Sequence, residues 1–216
     1  MNNKAYPFGS AIAHLASSDP DWGRLIARVG PCGLQPKPER EPYEALIRAI
    51  AYQQLHARAA EAILGRFLAR YPAPSFPSPT DILATDENVL RTCGFSAAKV
   101  TAIRGIAEKT LDGLVPTRRT ALTLTDEALI ARLITLRGVG RWTVEMLLIH
   151  TLERPDVLPV DDFGVREGWR VMKSLTEQPS PKEMSTIGQA WSPYRSTAAW
   201  YLWRAAEQAK RAVPSG

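Results

Sequence analysis

The 216-residue sequence predicts an all-α chain. Three observations carry that prediction. Apolar residues recur three and four apart in successive segments, as in Tyr43, Leu46, Ile47 and Ile50, in Leu129, Ile130, Leu133 and Ile134, and in Val144, Leu147, Leu148 and Thr151. Helix-start residues stand ahead of such stripes at Asp19-Pro20, Ser96 and Thr125, and helix stops follow at Gly30-Pro31, Gly94 and Gly113. The length suffices for one domain with a sizeable core, or for two small helical lobes that share one.

Taken in order, a helix around Ile12 to Leu15 comes first. Asp19-Pro20-Asp21 caps a second helix carrying Trp22, Leu25, Ile26 and Val29, and Gly33 to Pro38 reads as an extended connection. Pro42 opens the next helix, and its apolar stripe resumes at Ala59, Ile63, Leu64 and Phe67. Between the two halves, Tyr52-Gln53-Gln54-Leu55-His56 interrupts the apolar phase, so a break or exposed elbow is expected. Tyr71 to Thr80 holds four prolines and reads as a rigid loop crossing between lobes. Thr85 caps a short helix ending at Gly94, and Ser96 caps one from Ala97 to Leu111. Thr125-Asp126-Glu127 starts a helix that buries Leu129, Ile130, Leu133 and Ile134. The turn Leu136-Arg137-Gly138-Val139-Gly140 leads from it into a helix starting at Arg141. Asp161-Asp162 precedes a helix from Phe163 to Met172, and Ser192-Pro193 starts a final one dense in aromatics, of which Trp191 and Trp200 read as core.

Lys and Arg total 27 against 22 for Asp and Glu, a net charge of +5, a sign that suits a polyanionic partner as well as an ordinary solvated face. Cys32 and Cys93 form no C-x-x-C pair and His14, His56 and His150 are widely separated, so neither zinc nor an iron–sulfur cluster is expected. No stretch approaches the roughly 18 apolar residues that a bilayer needs, and no signal pattern opens the chain, so a cytoplasmic protein without membrane contact is expected. Nothing resembles a heptad or a large exposed apolar strip, which points to a monomer.

The two glycines of the 136–140 turn let the backbone bend without Cβ clashes and leave N–H groups at the next helix start, a place that attracts phosphate. By itself this is equally a helical hairpin with a glycine cap. Together with Arg141-Trp142-Thr143-Val144-Glu145 and Leu158-Pro159-Val160-Asp161-Asp162, the stretch resembles the helix-hairpin-helix DNA glycosylase superfamily, and within it the alkylbase branch typified by 3-methyladenine DNA glycosylase II.

That resemblance spans roughly residues 40 to 205 and implies a two-lobed all-α fold with the active-site cleft between the lobes. The division it implies is a lobe-forming segment 1–40, central helices 41–205 with the hairpin at 133–150, and a tail 206–216. It implies that Gln54 and Leu55 form the wedge that fills the gap left by an extruded nucleotide, with His56 toward the minor groove. A base inside a duplex cannot be reached at its glycosidic bond, and extruding it costs a few kcal/mol that an inserted side chain offsets. The N–H groups of Gly138, Gly140 and Thr143 would bind DNA phosphate. The carbonyls of Ile134, Leu136 and Val139 would hold a monovalent cation, Na+ or K+, bridging to it. Gly94-Phe95-Ser96-Ala97-Ala98-Lys99 resembles a family loop that meets DNA opposite the wedge; Lys99 is equally an ordinary surface lysine.

Bifunctional members of the superfamily carry a lysine after the residue matching Arg141, where it forms a Schiff base with the sugar. Trp142 stands there instead, and a neutral indole cannot attack C1′. Those members also commonly carry four C-terminal cysteines for a cluster, which this chain lacks. The resemblance therefore implies monofunctional chemistry with water as nucleophile and no required cofactor. Asp162, at a helix start that stabilises negative charge, would be the catalytic carboxylate; the alternative is that it only caps its helix, with Asp161 then the purer cap or fold residue. Trp142, Phe163 and Trp203 would wall the base pocket, since an indole attracts a cationic alkylated purine. Met146 departs from the family, standing where a pocket tyrosine is found. The implied activity is excision of alkylated bases from double-stranded DNA on the nucleoid. Its alternatives are a glycosylase for deaminated or oxidised bases and a non-catalytic DNA-binding module.

Overall fold

A computed structural model describes residues 8–72 and 74–212. Every regular element among these residues is helical, as the apolar periodicity predicts. The chain divides into two compact units, one from Met1–Pro36 with Glu153–Gly216 and the other from Lys37–Leu152.

Helix α1 spans Phe8–Ser18 and α2 spans Pro20–Val29. Asp19 caps α2 by accepting the Asp21 N–H, Pro20 takes the first helical position, and Gly30 returns its N–H to Ile26. The second unit holds α3 (Pro42–Tyr52), α4 (Ala57–Leu68), α5 (Pro79–Ala84), α6 (Glu87–Thr92), α7 (Ala97–Leu111), α8 (Arg118–Ala121), α9 (Asp126–Leu133) and α10 (Arg141–His150). Leu46, Ile47 and Ile50 of α3 are fully buried, and α3 packs on α7, whose Val100, Ile103 and Ile106 are buried too. Each such side chain stabilises the fold by roughly 1.5–3 kcal/mol relative to exposure. Burial therefore outweighs the modest helix propensity of isoleucine in fixing α3.

Four local expectations are corrected here. Ala59 is exposed and Ala60 takes the buried position, because the break at 53–56 resets the helical phase and α4 presents Ala60, Leu64 and Phe67 inward. The proline-rich stretch joins two helices of one unit instead of crossing between lobes, and it contains the start of α5, closed by a reciprocal Ser78–Asp81 capping box. Asp86, not Thr85, caps α6; the Thr85 hydroxyl donates back to Asp81 at the end of α5. Ile134 is 47% exposed, because α9 ends one residue before it.

The first unit continues with α11 (Phe163–Met172), α12 (Pro181–Ile187), a 3₁₀ turn (Gly188–Trp191) and α13 (Arg195–Ala212). Its core joins Leu15, Trp22 and Leu25 to Val165, Trp169, Trp191, Tyr201 and Leu202. Trp22 meets Trp191 edge-on at 5.2 Å. Helix α13 starts at Arg195 and not at Ser192-Pro193. The Arg195 guanidinium clamps Asp156 with hydrogen bonds of 2.7 and 2.9 Å, its backbone N–H adds a third at 3.3 Å, and the Ser192 hydroxyl joins the same carboxylate. Trp200 is only half-buried, with the Arg204 guanidinium over its ring. Residues 206–212 are helical rather than tail, and residues 213–216 lie outside the described residues.

Helices α11 and α13 run in very close contact at Gly168, where a Cβ would sit 2.0 Å from the Leu202 carbonyl oxygen. That approach carries Trp203 to the beginning of α11. No helix among the described residues is long and apolar enough to cross a membrane.

Candidate functional site

In the second unit, α3 ends in a tight turn. The Leu55 N–H returns to the Tyr52 carbonyl at 3.2 Å, Gln53 has φ −53 and ψ 130, and Gln54 has φ +56. These are the angles of a type II turn with glutamine at the position that usually requires glycine, a conformation costing an L residue about 1–2 kcal/mol. Gln54, Leu55 and His56 are all exposed, so the three expected DNA-contacting side chains project from one elbow. Their neighbour Gln53, which sequence reasoning missed, faces the other way. Its Nε2 donates to the Gly138 carbonyl (3.0 Å) and the Thr143 hydroxyl (3.3 Å), tying the elbow to the hairpin.

The hairpin between α9 and α10 needs one of its two glycines for its own folding. Gly138 has φ +82, and a Cβ there would meet the Ala102 methyl at 3.1 Å. Gly140 has an ordinary φ of −94 and open space where a Cβ would lie, so the expectation that both glycines relieve clashes is corrected. The N–H groups of Gly138 and Gly140 donate to no acceptor among the described residues, as a phosphate site requires. The Thr143 N–H donates to the Gly140 carbonyl at 3.0 Å. Among the three expected cation-binding carbonyls, Leu136 accepts the Val139 N–H at 3.1 Å, while those of Ile134 and Val139 receive no N–H from the described residues.

The residues after the turn are ordered by charge. Arg141 bonds the exposed Glu127 (2.5 and 3.2 Å) and the buried Glu145 (3.0 Å), which holds the Glu127 carboxyl below its ordinary pKa. Trp142 follows, half-buried. Among the described residues, no three His, Cys, Asp or Glu side chains cluster as a metal site would need.

In the first unit, Asp162 occupies the N-cap of α11. Its Oδ1 accepts both the Val165 N–H and the Trp203 Nε1–H, each at 2.9 Å. The cap role weighed for Asp161 thus belongs to Asp162, and Asp161 is exposed in the preceding turn. Gly164 makes the indole contact possible: a Cβ there would lie 2.9 Å from Trp203 Cδ1 and 3.1 Å from Asp162 Oδ1. Asp162 and Trp203 line a groove of about 720 Å³ with Gly164, Arg170 and Lys210. Phe163, expected as a pocket wall, borders the same groove but is 68% exposed. The sequence offers Trp203 as a pocket wall but gives no sign of its bond to Asp162.

The model for "HhH-GPD superfamily base excision DNA repair protein" matches residues 47–193. Two proteins of Schizosaccharomyces pombe are similar over nearly their whole length. DNA-3-methyladenine glycosylase 1 is 44% identical, with 94% of this chain and 90% of the relative covered. An alkylbase DNA glycosidase-like protein is 37% identical, with 94% and 95% covered. The solved structure of a 3-methyladenine DNA glycosylase from that organism, in complex with abasic DNA, aligns with a TM-score of 0.84 at 44% identity, covering 90% of this chain and 95% of the other. The matched region takes in the elbow at 53–56, the hairpin and Asp162, and by that match the chain belongs to the HhH-GPD superfamily of base excision DNA repair proteins.

Proposed function

We propose that this chain is a monofunctional DNA glycosylase that extrudes alkylated bases of the 3-methyladenine and 7-methylguanine type from duplex DNA and hydrolyses their N-glycosidic bond, leaving an abasic site. The observation that carries this reading is the Asp162 carboxylate, fixed through one oxygen by a helix-start N–H and by an indole N–H. A carboxylate held in place before reaction stabilises positive charge developing on the sugar without reorganising. It can also accept a proton from attacking water. At a surface-like dielectric, unit charges about 4 Å apart attract by roughly 4 kcal/mol, enough for about a thousandfold in rate. Trp142 offers no amine, so water is the nucleophile and the strand is left unbroken. Trp142, Phe163 and Trp203 supply aromatic surfaces to a cationic base, which is already a good leaving group.

The remaining residues hold the DNA. Gln54 and Leu55 take the place of the extruded nucleotide and His56 faces the minor groove. The N–H groups of Gly138 and Gly140 receive a phosphate, and the missing Cβ of Gly140, which the fold itself does not require, leaves the phosphate room. The carbonyls of Ile134, Leu136 and Val139 suit a monovalent cation, being hard oxygens of the turn between α9 and α10, two of the three receiving no N–H from the described residues. The net charge of +5 supports a polyanionic partner. We place the enzyme in the cytoplasm, on the nucleoid, as a monomer that needs no cofactor.

The test is release of free bases from methylated duplex DNA by wild type and Asp162→Asn, with strand nicking read alongside. The expected result is release without nicking, slowed about a hundredfold or more in the variant while DNA binding persists. Binding without release would leave only the DNA-binding module, and nicking would overturn water as the nucleophile.

A further inference from the structure

Lys99 stands in the first turn of α7, and its Nζ donates to the carbonyls of Ala51 (2.8 Å) and Gln53 (2.9 Å). These are the last turn and the C-cap of α3. A cation there satisfies carbonyls that the helix leaves without donors, and its sign is the one favoured at a helix C-terminus. The ammonium is half-buried, and burial pushes its pKa down from the ordinary lysine value. Its two acceptors lie immediately before Gln54, the residue held at φ +56. From the opposite side, Gln53 Nε2 reaches the Gly138 carbonyl and the Thr143 hydroxyl. The elbow is thus held from α7 and from the hairpin at once. A left-handed non-glycine residue persists only where its surroundings over-determine it.

We propose that Lys99 is a positioning residue: it locks the Tyr52–Leu55 turn so that Gln54 and Leu55 enter the base stack as a rigid wedge, and it makes no phosphate contact of its own. The inference rests on the glycosylase reading only for what the wedge accomplishes. A flexible elbow would lose side-chain and backbone freedom on insertion, and that cost falls on base extrusion alone. A base in a single strand needs little extrusion, so its release is insensitive to the lock.

The experiment compares wild type, Lys99→Met and Lys99→Arg in three assays. The first is base release from methylated duplex and methylated single strand. The second is fluorescence of 2-aminopurine placed beside an abasic analogue in a duplex, which reports insertion without any reaction. The third is the salt dependence of binding to that duplex. For Lys99→Met we expect the duplex-to-single-strand ratio of release to fall about tenfold or more, since two hydrogen bonds from a charged donor are lost. The 2-aminopurine signal should drop with it, the logarithmic salt slope should stay unchanged, and Lys99→Arg should recover part of both. A slope reduced by about one would identify a direct phosphate contact and overturn the proposal. An unchanged ratio, or equal losses on both substrates with the 2-aminopurine signal intact, would also overturn it. If wild type releases no base from any DNA, the glycosylase reading falls. The lock is then decided by 2-aminopurine alone, standing if Lys99→Met loses the signal and failing if it keeps it.

Discussion

Replacing Gly164 with alanine should separate activity from stability. The added Cβ would lie 2.9 Å from Trp203 Cδ1, against an ordinary carbon–carbon contact of roughly 3.5 Å or more. The indole must therefore retreat by about 0.6 Å. Its hydrogen bond to Asp162, 2.9 Å long, would stretch to about 3.5 Å and cease to be one. A hydrogen bond to a charged group is worth about 1.5–3 kcal/mol, so base release should slow by roughly 10- to 100-fold, the Val165 N–H still holding the same oxygen. Alanine meanwhile improves on glycine in a helix by up to about 1 kcal/mol, which offsets the local crowding. Single-turnover release from methylated duplex DNA, paired with thermal melting followed by circular dichroism, measures both effects. Trp203→Phe, which keeps the ring and removes the donor, should show a loss of similar size. Full activity in Gly164→Ala, or a slow Gly164→Ala beside a fully active Trp203→Phe, would refute the idea that the indole N–H orients the carboxylate.

Three further outcomes are expected. Gly168→Ala, with its Cβ 2.0 Å from a backbone oxygen of α13, must force two helices apart and should cost several kcal/mol in urea unfolding, unlike Gly164→Ala. Gln54→Gly relieves the left-handed turn while removing a side chain of the proposed wedge, so the melting temperature should hold or rise by a degree or two while release from duplex DNA falls. Burial, aided by the charge of Arg40, holds the His150 pKa below 6.5. The unfolded chain then binds more protons than the folded one as the pH drops through 6.5 toward that lowered value. Stability should decline across that window, and His150→Gln should flatten the decline.

The features written in local chemistry were legible in the sequence. The stripe at Tyr43, Leu46, Ile47 and Ile50 dictated α3, and Asp19, Ser96 and Thr125 cap the helices they were expected to cap. The elbow at 52–56 showed itself as a loss of apolar phase. What escaped depended on contacts distant in sequence or on very short elements. Helix α5 hid among prolines, since six residues carry too little periodicity. Lys99 reads in the sequence as part of a DNA-facing loop or as an ordinary surface lysine, because nothing in its own neighbourhood reveals carbonyls near residue 51. Trp203 reads in the sequence as a wall of the base pocket, and its bond to Asp162 does not show there, since its N–H finds that carboxylate across 41 residues. Gly140 reads in the sequence as relieving a clash that only Gly138 relieves, because spacing alone does not show which glycine the backbone needs.

The first unit closes around helices made at opposite ends of synthesis. Trp22 and Leu25 leave the ribosome early, yet the Trp191, Tyr201 and Leu202 they pack with come late. At about 5–20 residues per second, those indole and leucine side chains wait on the order of ten seconds for their partners, while the contiguous stretch Lys37–Leu152 is already complete. The same order of synthesis delivers the indole that holds Asp162 among the last residues. A chain stopped just before Trp203 would keep the 53–56 elbow and the hairpin in its sequence and lack the indole that holds Asp162.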